Sequence, residues 1–206
     1  MPADDALVGV LEVARTRGFL GPGPVERHIA HGRAFVAAVA PPARFLDLGS
    51  GGGIPGLLCA LAWETATGVL LDAQQRRTTF LDWAAVELGV SDRIETVTAR
   101  SEAAARQPAL RGAFDVVTAR SFARPAVTAE CGAPFLRVGG TLLVSEPPAP
   151  SPDRWPIDGL GQLGLVDDGI VRVDDGTGRV RVLRSVAPCP DRWPRRDGVP
   201  AKRPLF

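Results

Sequence analysis

The sequence predicts a doubly wound α/β fold whose sheet ends in an antiparallel strand pair. From residue 44 to about residue 145, short apolar runs of strand length alternate with longer segments of helical periodicity. A glycine-rich turn joins the first run to the helix after it. The last two strand-like runs are separated by only a few residues, too few for a crossover helix. Alternating strands and helices place a parallel sheet between two helical layers.

The elements follow in order. Residues about 4–17 read as a helix, with Asp4 or Asp5 as cap and Leu7, Val8, Leu11 and Ala14 at helical spacing. Gly18 to Pro24 breaks it, and Pro24 opens a second helix carrying Val25, Ile29, Phe35, Val36 and Val39. Pro41 and Pro42 stop that one. Arg44 to Leu48 is a buried strand, followed by the glycine turn and an apolar helix from Ile54 to Trp63. Gly68 to Asp72 is the second strand, and Gln75 to Gly89 a helix with Phe80, Ala84 and Leu88 on one face. Arg93 to Ala99 and Phe114 to Thr118 are the third and fourth strands. Ala126 to Leu136 is helical, and Thr141 to Ser145 forms the fifth strand after a Gly139-Gly140 turn. Ile170 to Val173 and Arg179 to Val186, flanking residues 174–178, form a β-hairpin. We divide the chain into N-terminal helices (1–42) packing on a core (43–206), one domain overall.

At 206 residues, with 45 % hydrophobic and 23 % charged, the chain fits one globular unit. Its net charge of +1 provides no global field for nucleic acid. No apolar run approaches the ~18 residues of a membrane span, and the acidic N-terminus has no secretory pattern. These features predict a cytoplasmic chain with no membrane partner. Cys59, Cys131 and Cys189 are far apart, and Cys59 and Cys131 sit in apolar helical stretches, so free thiols are expected. Lys202 is the one lysine among 24 basic residues, a bias that lowers the information in any single arginine.

The informative stretch is DLGSGGGIPG (47–56). A strand runs into Gly49-x-Gly51-x-Gly53 and then into a helix, and Asp72 ends the next strand ~20 residues on. An acidic residue there can accept hydrogen bonds from both ribose hydroxyls. The third glycine falls one residue earlier than in the dinucleotide fingerprint. A carboxylate at Asp47 would repel a pyrophosphate but suits the ammonium and sulfonium of S-adenosylmethionine. The methyl donor, with S-adenosylhomocysteine as its product, is therefore preferred over a dinucleotide. Five parallel strands with a terminal antiparallel pair are also the sheet of class I methyltransferases, a Rossmann-like arrangement. Ser101 and Glu102, after the third strand, read as a helix N-cap at the position where the adenine lies. Ser145-Glu146-Pro147-Pro148 reads as a loop.

At these residues the chain resembles the glucose-inhibited division protein B (RsmG-type) family. The pieces are DLGSGGGIPG (47–56), LLDAQQRRTTFL (70–81), TARSEA (98–103), TARSFA (118–123), the tail RWPRRDGVPAKRPL (192–205), and GFLGPGPVERHI (18–29) with its Arg27-His28 pair. The resemblance implies methylation of guanine N7 in small-subunit (16S) ribosomal RNA. Further implications are that Asp47, Gly49, Ser50, Gly51, Gly53 and Pro55 shape the donor site, and that Asp72, with Ala73 after it, holds the ribose. Ser101 and Glu102 lie along the adenine, and Arg120 reaches into the active site from the end of the fourth strand. The chain departs from the family at His31-Gly32, in a short N-terminal region, and at Glu146-Pro147 where members carry Lys-Gly. A carboxylate at 146 beside the acceptor is expected to weaken phosphate attraction.

Guanine N7 offers a lone pair and no proton, so positioning suffices and no general base is needed. The candidate catalytic residues are Arg120 and His28. His28 and His31 lie one helical turn apart without a third ligand nearby, so no metal is expected. The tail carries Arg192, Arg195, Arg196, Lys202 and Arg203 against Asp191 and Asp197, and two readings of it stand. It is an arm that contacts RNA, or an ordered tail anchored by Trp193, Leu205 and Phe206. The expected partner is ribosomal RNA or the small ribosomal subunit, with a small-molecule acceptor for a diverged paralogue as the alternative. The expected assembly is a monomer or weak dimer.

Overall fold

The computed structural model describes residues 2–172 and 178–206. Five strands run parallel: β1 (Arg44–Leu48), β2 (Thr67–Asp72), β3 (Ile94–Thr98), β4 (Phe114–Ala119) and β5 (Leu136–Ser145). β6 (Leu165–Arg172) and β7 (Arg179–Ser185) form an antiparallel pair, and β7 also runs antiparallel to β5. Among the described residues these make one seven-stranded sheet in the order β3-β2-β1-β4-β5-β7-β6. The chain reverses direction across the sheet between β1 and β4, which opens a crevice at the carboxyl ends of the strands.

Strand parity sets the two layers. Phe45, Leu70, Ile94, Val116 and Leu143 face one side, buried by α1 (Pro2–Thr16), α2 (Val25–Ala37), α3 (Gly56–Ala62) and α4 (Gln75–Glu87). Leu46, Leu48, Val69, Leu71, Val117 and Leu142 face the other, buried by α5 (Ser101–Ala104), α6 (Pro125–Gly132) and α7 (Ile157–Gly161). The chain closes with α8 (Val199–Lys202). Asp47 has the parity of Phe45, so its carboxylate points beneath α3.

Several elements differ from the sequence reading: α1 begins at Pro2, ahead of the expected Asp4 or Asp5 cap, Arg100 rather than Ser101 is the N-cap of α5, and α7 was not expected. Three further differences have a clear physical reason. Gly139-Gly140 is not a turn before β5 but part of it. β5 starts at Leu136, opposite Phe114, and a bulge shifts its register before Val116 pairs with Thr141. A side chain on Gly140 would meet the Phe114 carbonyl at 2.9 Å, so glycine there permits close strand approach. α6 ends at Gly132 and tightens into a 3-10 turn over Ala133–Phe135, because Pro134 cannot donate to the helical ladder. β6 begins at Leu165 rather than Ile170. Asp167 and Asp168 interrupt its apolar pattern, but they pair across the hairpin with Arg181 and Arg184 at 2.8 and 2.6 Å. Residues 173–177, the greater part of the expected hairpin turn, lie outside the described residues.

Candidate active site

The carboxyl ends of β1, β2 and β3 surround a cavity of about 250 Å³. Gly49, Asp72, Ala73, Ser101, Glu102 and Phe122 line it. Beside it lies a cleft of about 520 Å³ with Arg27, His28, Arg120, Glu146 and Arg154 in its walls. Phe122 and Ala123 belong to both walls, so the two spaces adjoin across the turn after β4.

Of the residues expected at the donor site, Gly49, Asp72, Ala73, Ser101 and Glu102 come together on the cavity. Asp47, Ser50, Gly51, Gly53 and Pro55 lie behind or around it. The loop is tied internally: Ser50 Oγ donates to the Asp47 carbonyl at 2.9 Å, and Gly53 N–H to the Ser50 carbonyl at 2.7 Å. Gly51 N–H donates to Asp72 Oδ2 at 3.0 Å, which holds the loop against the end of β2. Gly49 has φ +71°, and a Cβ there would sit 2.6 Å from the Phe122 ring.

Asp47 is 1 % exposed. Thr118 Oγ1, its neighbour in register on β4, donates to Oδ1 at 2.6 Å, and Gly56 N–H donates to Oδ2 at 3.2 Å. A Cβ at position 56 would lie 2.6 Å from that oxygen, so only glycine allows α3 to start there. Burial pushes the Asp47 carboxyl up to about 6, against the opposing hydrogen bonds and the Arg120 charge. Burial also lowers the Arg120 guanidinium, and the Asp47 charge counters it. The two residues therefore link the floor of the glycine loop electrostatically to the cleft.

Asp72 accepts Gln74 N–H on Oδ1 at 2.9 Å, and Arg77 stands 3.4 Å from Oδ2. Oδ2 already receives both Gly51 N–H and Arg77, while Oδ1 keeps a second lone pair, which leaves capacity there for a hydroxyl donor. Arg120 lies in the cleft rather than on the donor cavity, and its Nη2 meets His28 Nδ1 at 2.6 Å. The other ring nitrogen of His28, Nε2, is 3.1 Å from the Gly21 carbonyl. With a guanidinium on Nδ1 and a carbonyl on Nε2, the ring is the neutral tautomer protonated on Nε2. Ser121 follows at φ +53°, a strained backbone for a side-chain-bearing residue, with its N–H 3.2 Å from Ser145 Oγ.

Glu146 does not offer its charge to the cleft, contrary to the expectation of weakened phosphate attraction. Its side chain is 0 % exposed and sits 2.9 Å from Arg154 and 3.4 Å from Arg181, with the Trp155 indole N–H as a further donor. Arg154 and Arg181 together neutralise Glu146 and Asp167, and Arg154 lines the cleft. The tail packs on the core. Trp193 is buried with its Nε1–H on the Gln162 carbonyl at 3.1 Å, and Arg195 pairs with buried Glu130. Arg196, Lys202 and Arg203 stay exposed. Cys59 and Cys131 are buried and free.

Sequence reasoning missed Thr118, Phe122, Glu130 and the approach of the tail to the donor cavity. Thr118 and Phe122 belong to TARSFA, whose parallel with TARSEA was visible; Glu130 gave no signal, being one acid in an apolar helix.

The family model for rRNA small subunit methyltransferase G (GidB) matches residues 24–146. Proteins named ribosomal RNA small subunit methyltransferase G are similar to this chain. The one from Rubrobacter xylanophilus is 35 % identical over 79 % of this chain and 65 % of its own length. That from Moorella thermoacetica is 32 % identical over 83 % of this chain and 73 % of its own. The chain thus spans just under two thirds of the Rubrobacter protein. Among solved structures, an O-methyltransferase from Bacillus cereus in complex with SAH superposes with TM-score 0.61 at 13 % identity, covering 87 % of this chain and 90 % of that one. A cofactor-bound protein from MTB, Rv0187, gives TM-score 0.60 at 18 % identity over 88 % and 89 %. The fold is that of class I methyltransferases, and the chain belongs to the GidB family, rRNA small subunit methyltransferase G.

Proposed function

We propose that this chain is an S-adenosylmethionine-dependent methyltransferase acting on guanine N7 of small-subunit ribosomal RNA. The observation behind the reading is the adjacency of two unlike spaces: a cavity of small, largely apolar walls that includes Gly49 and Asp72, and a cleft walled by Arg27, Arg120 and Arg154. The first fits a nucleoside with a ribose diol. The second fits a polyanion, and arginine is the side chain suited to phosphate. A small-molecule acceptor is not favoured, since the family membership and the arginine-walled cleft both point to RNA.

Bound S-adenosylmethionine supplies a methyl group on a sulfonium that departs with the bonding electron pair. Asp72 accepts the ribose hydroxyls, while Gly49 and Phe122 hold the loop close to the ligand. Asp47 provides negative charge beneath the loop, where the donor carries positive charge. No residue has to take a proton, because N7 has none to lose; His28 serves to orient Arg120. The contribution of the protein is alignment, and Arg120 places a fixed cation in the cleft, two residues before the Phe122 wall it shares with the donor cavity.

Calorimetric titration with S-adenosylhomocysteine and with NAD tests the donor half. Binding of the first and not the second is expected, weakened in Asp72→Ala by about 1.5–3 kcal/mol, the scale of a charge-assisted hydrogen bond. Binding of NAD with no response to S-adenosylhomocysteine would overturn it.

A further inference from the structure

Charged side chains from α5, α6 and the turn after α5 converge on the C-terminal segment. Glu130, 0 % exposed, accepts the Arg195 amide N–H at 2.9 Å and its guanidinium through both carboxylate oxygens, at 2.9 Å from Nε and 2.5 Å from Nη2. Arg111 donates to the carbonyls of Cys189, Pro190 and Trp193 at 2.9, 3.2 and 3.0 Å. Arg106 donates to the Pro194 carbonyl. Further along, Glu102 Oε1 accepts Gly198 N–H at 2.9 Å, and α8 then sets Ala201 against the donor cavity.

Glu102 is a joint between this segment and α5. Oε1 also faces Arg100 at 3.2 Å, and Oε2 accepts the Ser101 hydroxyl at 3.0 Å. Burial pushes the Glu102 carboxyl up, but the Gly198 and Glu102 amides, Ser101 and Arg100 outweigh it and hold the group below its ordinary range. Around it the cavity walls are small and apolar: Ala73, Ala99, Val127, Cys131 and Ala201. Such a surface suits the flat face of a purine. Glu130 and Arg195 are not among the lining residues.

We infer that the segment Arg195–Ala201 brings Ala201 into the wall of the donor pocket at its nucleoside end, and that Arg195 and Glu130 are positioning residues that set donor affinity without touching the donor. The inference rests on the donor reading above. It gives the basic tail a role in cofactor retention rather than as a free arm for RNA.

The test is titration of the full chain with S-adenosylhomocysteine, at a temperature well below the melting transition of each variant. There global unfolding makes no contribution to a loss of affinity. Arg195→Ala should leave the segment docked only part of the time. A wall present one tenth of the time raises the apparent Kd about tenfold. Ala201→Trp is the second variant, because position 201 is exposed and accepts a larger residue without disturbing the core. It should obstruct the cavity and weaken binding by a similar factor, with the melting temperature unchanged. Wild-type binding with the same Kd in both variants would overturn the inference and leave the donor reading intact. Failure of the wild-type chain to bind would overturn both.

Discussion

Arg120 Nη2 lies 2.6 Å from His28 Nδ1, and the opposite nitrogen of the same ring is held by the Gly21 carbonyl at 3.1 Å. The loop before α2 therefore sets the direction of a guanidinium at the end of β4. His28→Ala should release Arg120 and lower methyl-transfer turnover by about 100-fold, the effect of a misplaced group near a reacting centre. Arg120→Ala should cost at least as much. Affinity for S-adenosylhomocysteine should change little in either variant. Equal losses in turnover and affinity would make the pair part of the donor site.

The same pair predicts a pH dependence. Burial first, then the charges of Arg120, His31 and Arg27, hold the His28 ring below its ordinary value of 6.5, with the Gly21 carbonyl opposing them. A ring whose pKa is lower folded than unfolded contributes stability that is present above pH 6.5 and is lost as the pH falls through the folded value. Protonation also removes the lone pair that receives Arg120. Turnover should decline on the acid side even though the chemistry uses no base, and His28→Ala should lose that limb of the profile. A limb unchanged in the variant would assign it to another group.

Asp47 gives a dependence of the opposite sign. Its carboxyl is raised to about 6, so its favourable contribution to folding is complete below the unfolded value of 3.8 and is lost as the pH rises through 6. Thr118 supplies one of the bonds that make the charged form tolerable. Thr118→Val should cost about 1.5–3 kcal/mol at pH 8 and less at pH 5, where the carboxyl is protonated. Urea unfolding at the two pH values measures this, and an equal cost at both would mean that the hydroxyl serves packing alone.

Glu146 looked from sequence like a repulsive charge in place of a family lysine. Because it is buried between Arg154 and Arg181, restoring a lysine would bring three cations together. Glu146→Lys should destabilise the fold by about 3–5 kcal/mol, the cost of breaking a buried pair. Urea melts decide the matter. A variant of native stability that bound RNA more tightly would show the pair to be an ordinary surface contact.

What was legible in the sequence was the part built from local rules. Arg44–Leu48 is a strand of the expected length because Phe45 to Leu48 are buried and the strand lies between β2 and β4. Asp72 follows from the spacing of the glycine loop, and the hairpin from two β-rich runs too close for a crossover. What was illegible depends on distant partners. Asp167 and Asp168 read as a break until Arg181 and Arg184 stand opposite them. Glu130 is one acid in an apolar helix until Arg195, 65 residues on, pairs with it. The charge of Glu146 could not be judged without Arg154 and Arg181, one in a 3-10 turn and one on β7.

Transfer of a labelled methyl group from S-adenosylmethionine to small ribosomal subunits lacking the N7 mark tests directly whether ribosomal RNA is the acceptor. Label is expected on the subunit RNA, located at N7 of a guanine, with Arg120→Ala giving far less. Unlabelled subunits across a range of salt and magnesium, from a folded protein that binds S-adenosylhomocysteine, would contradict it.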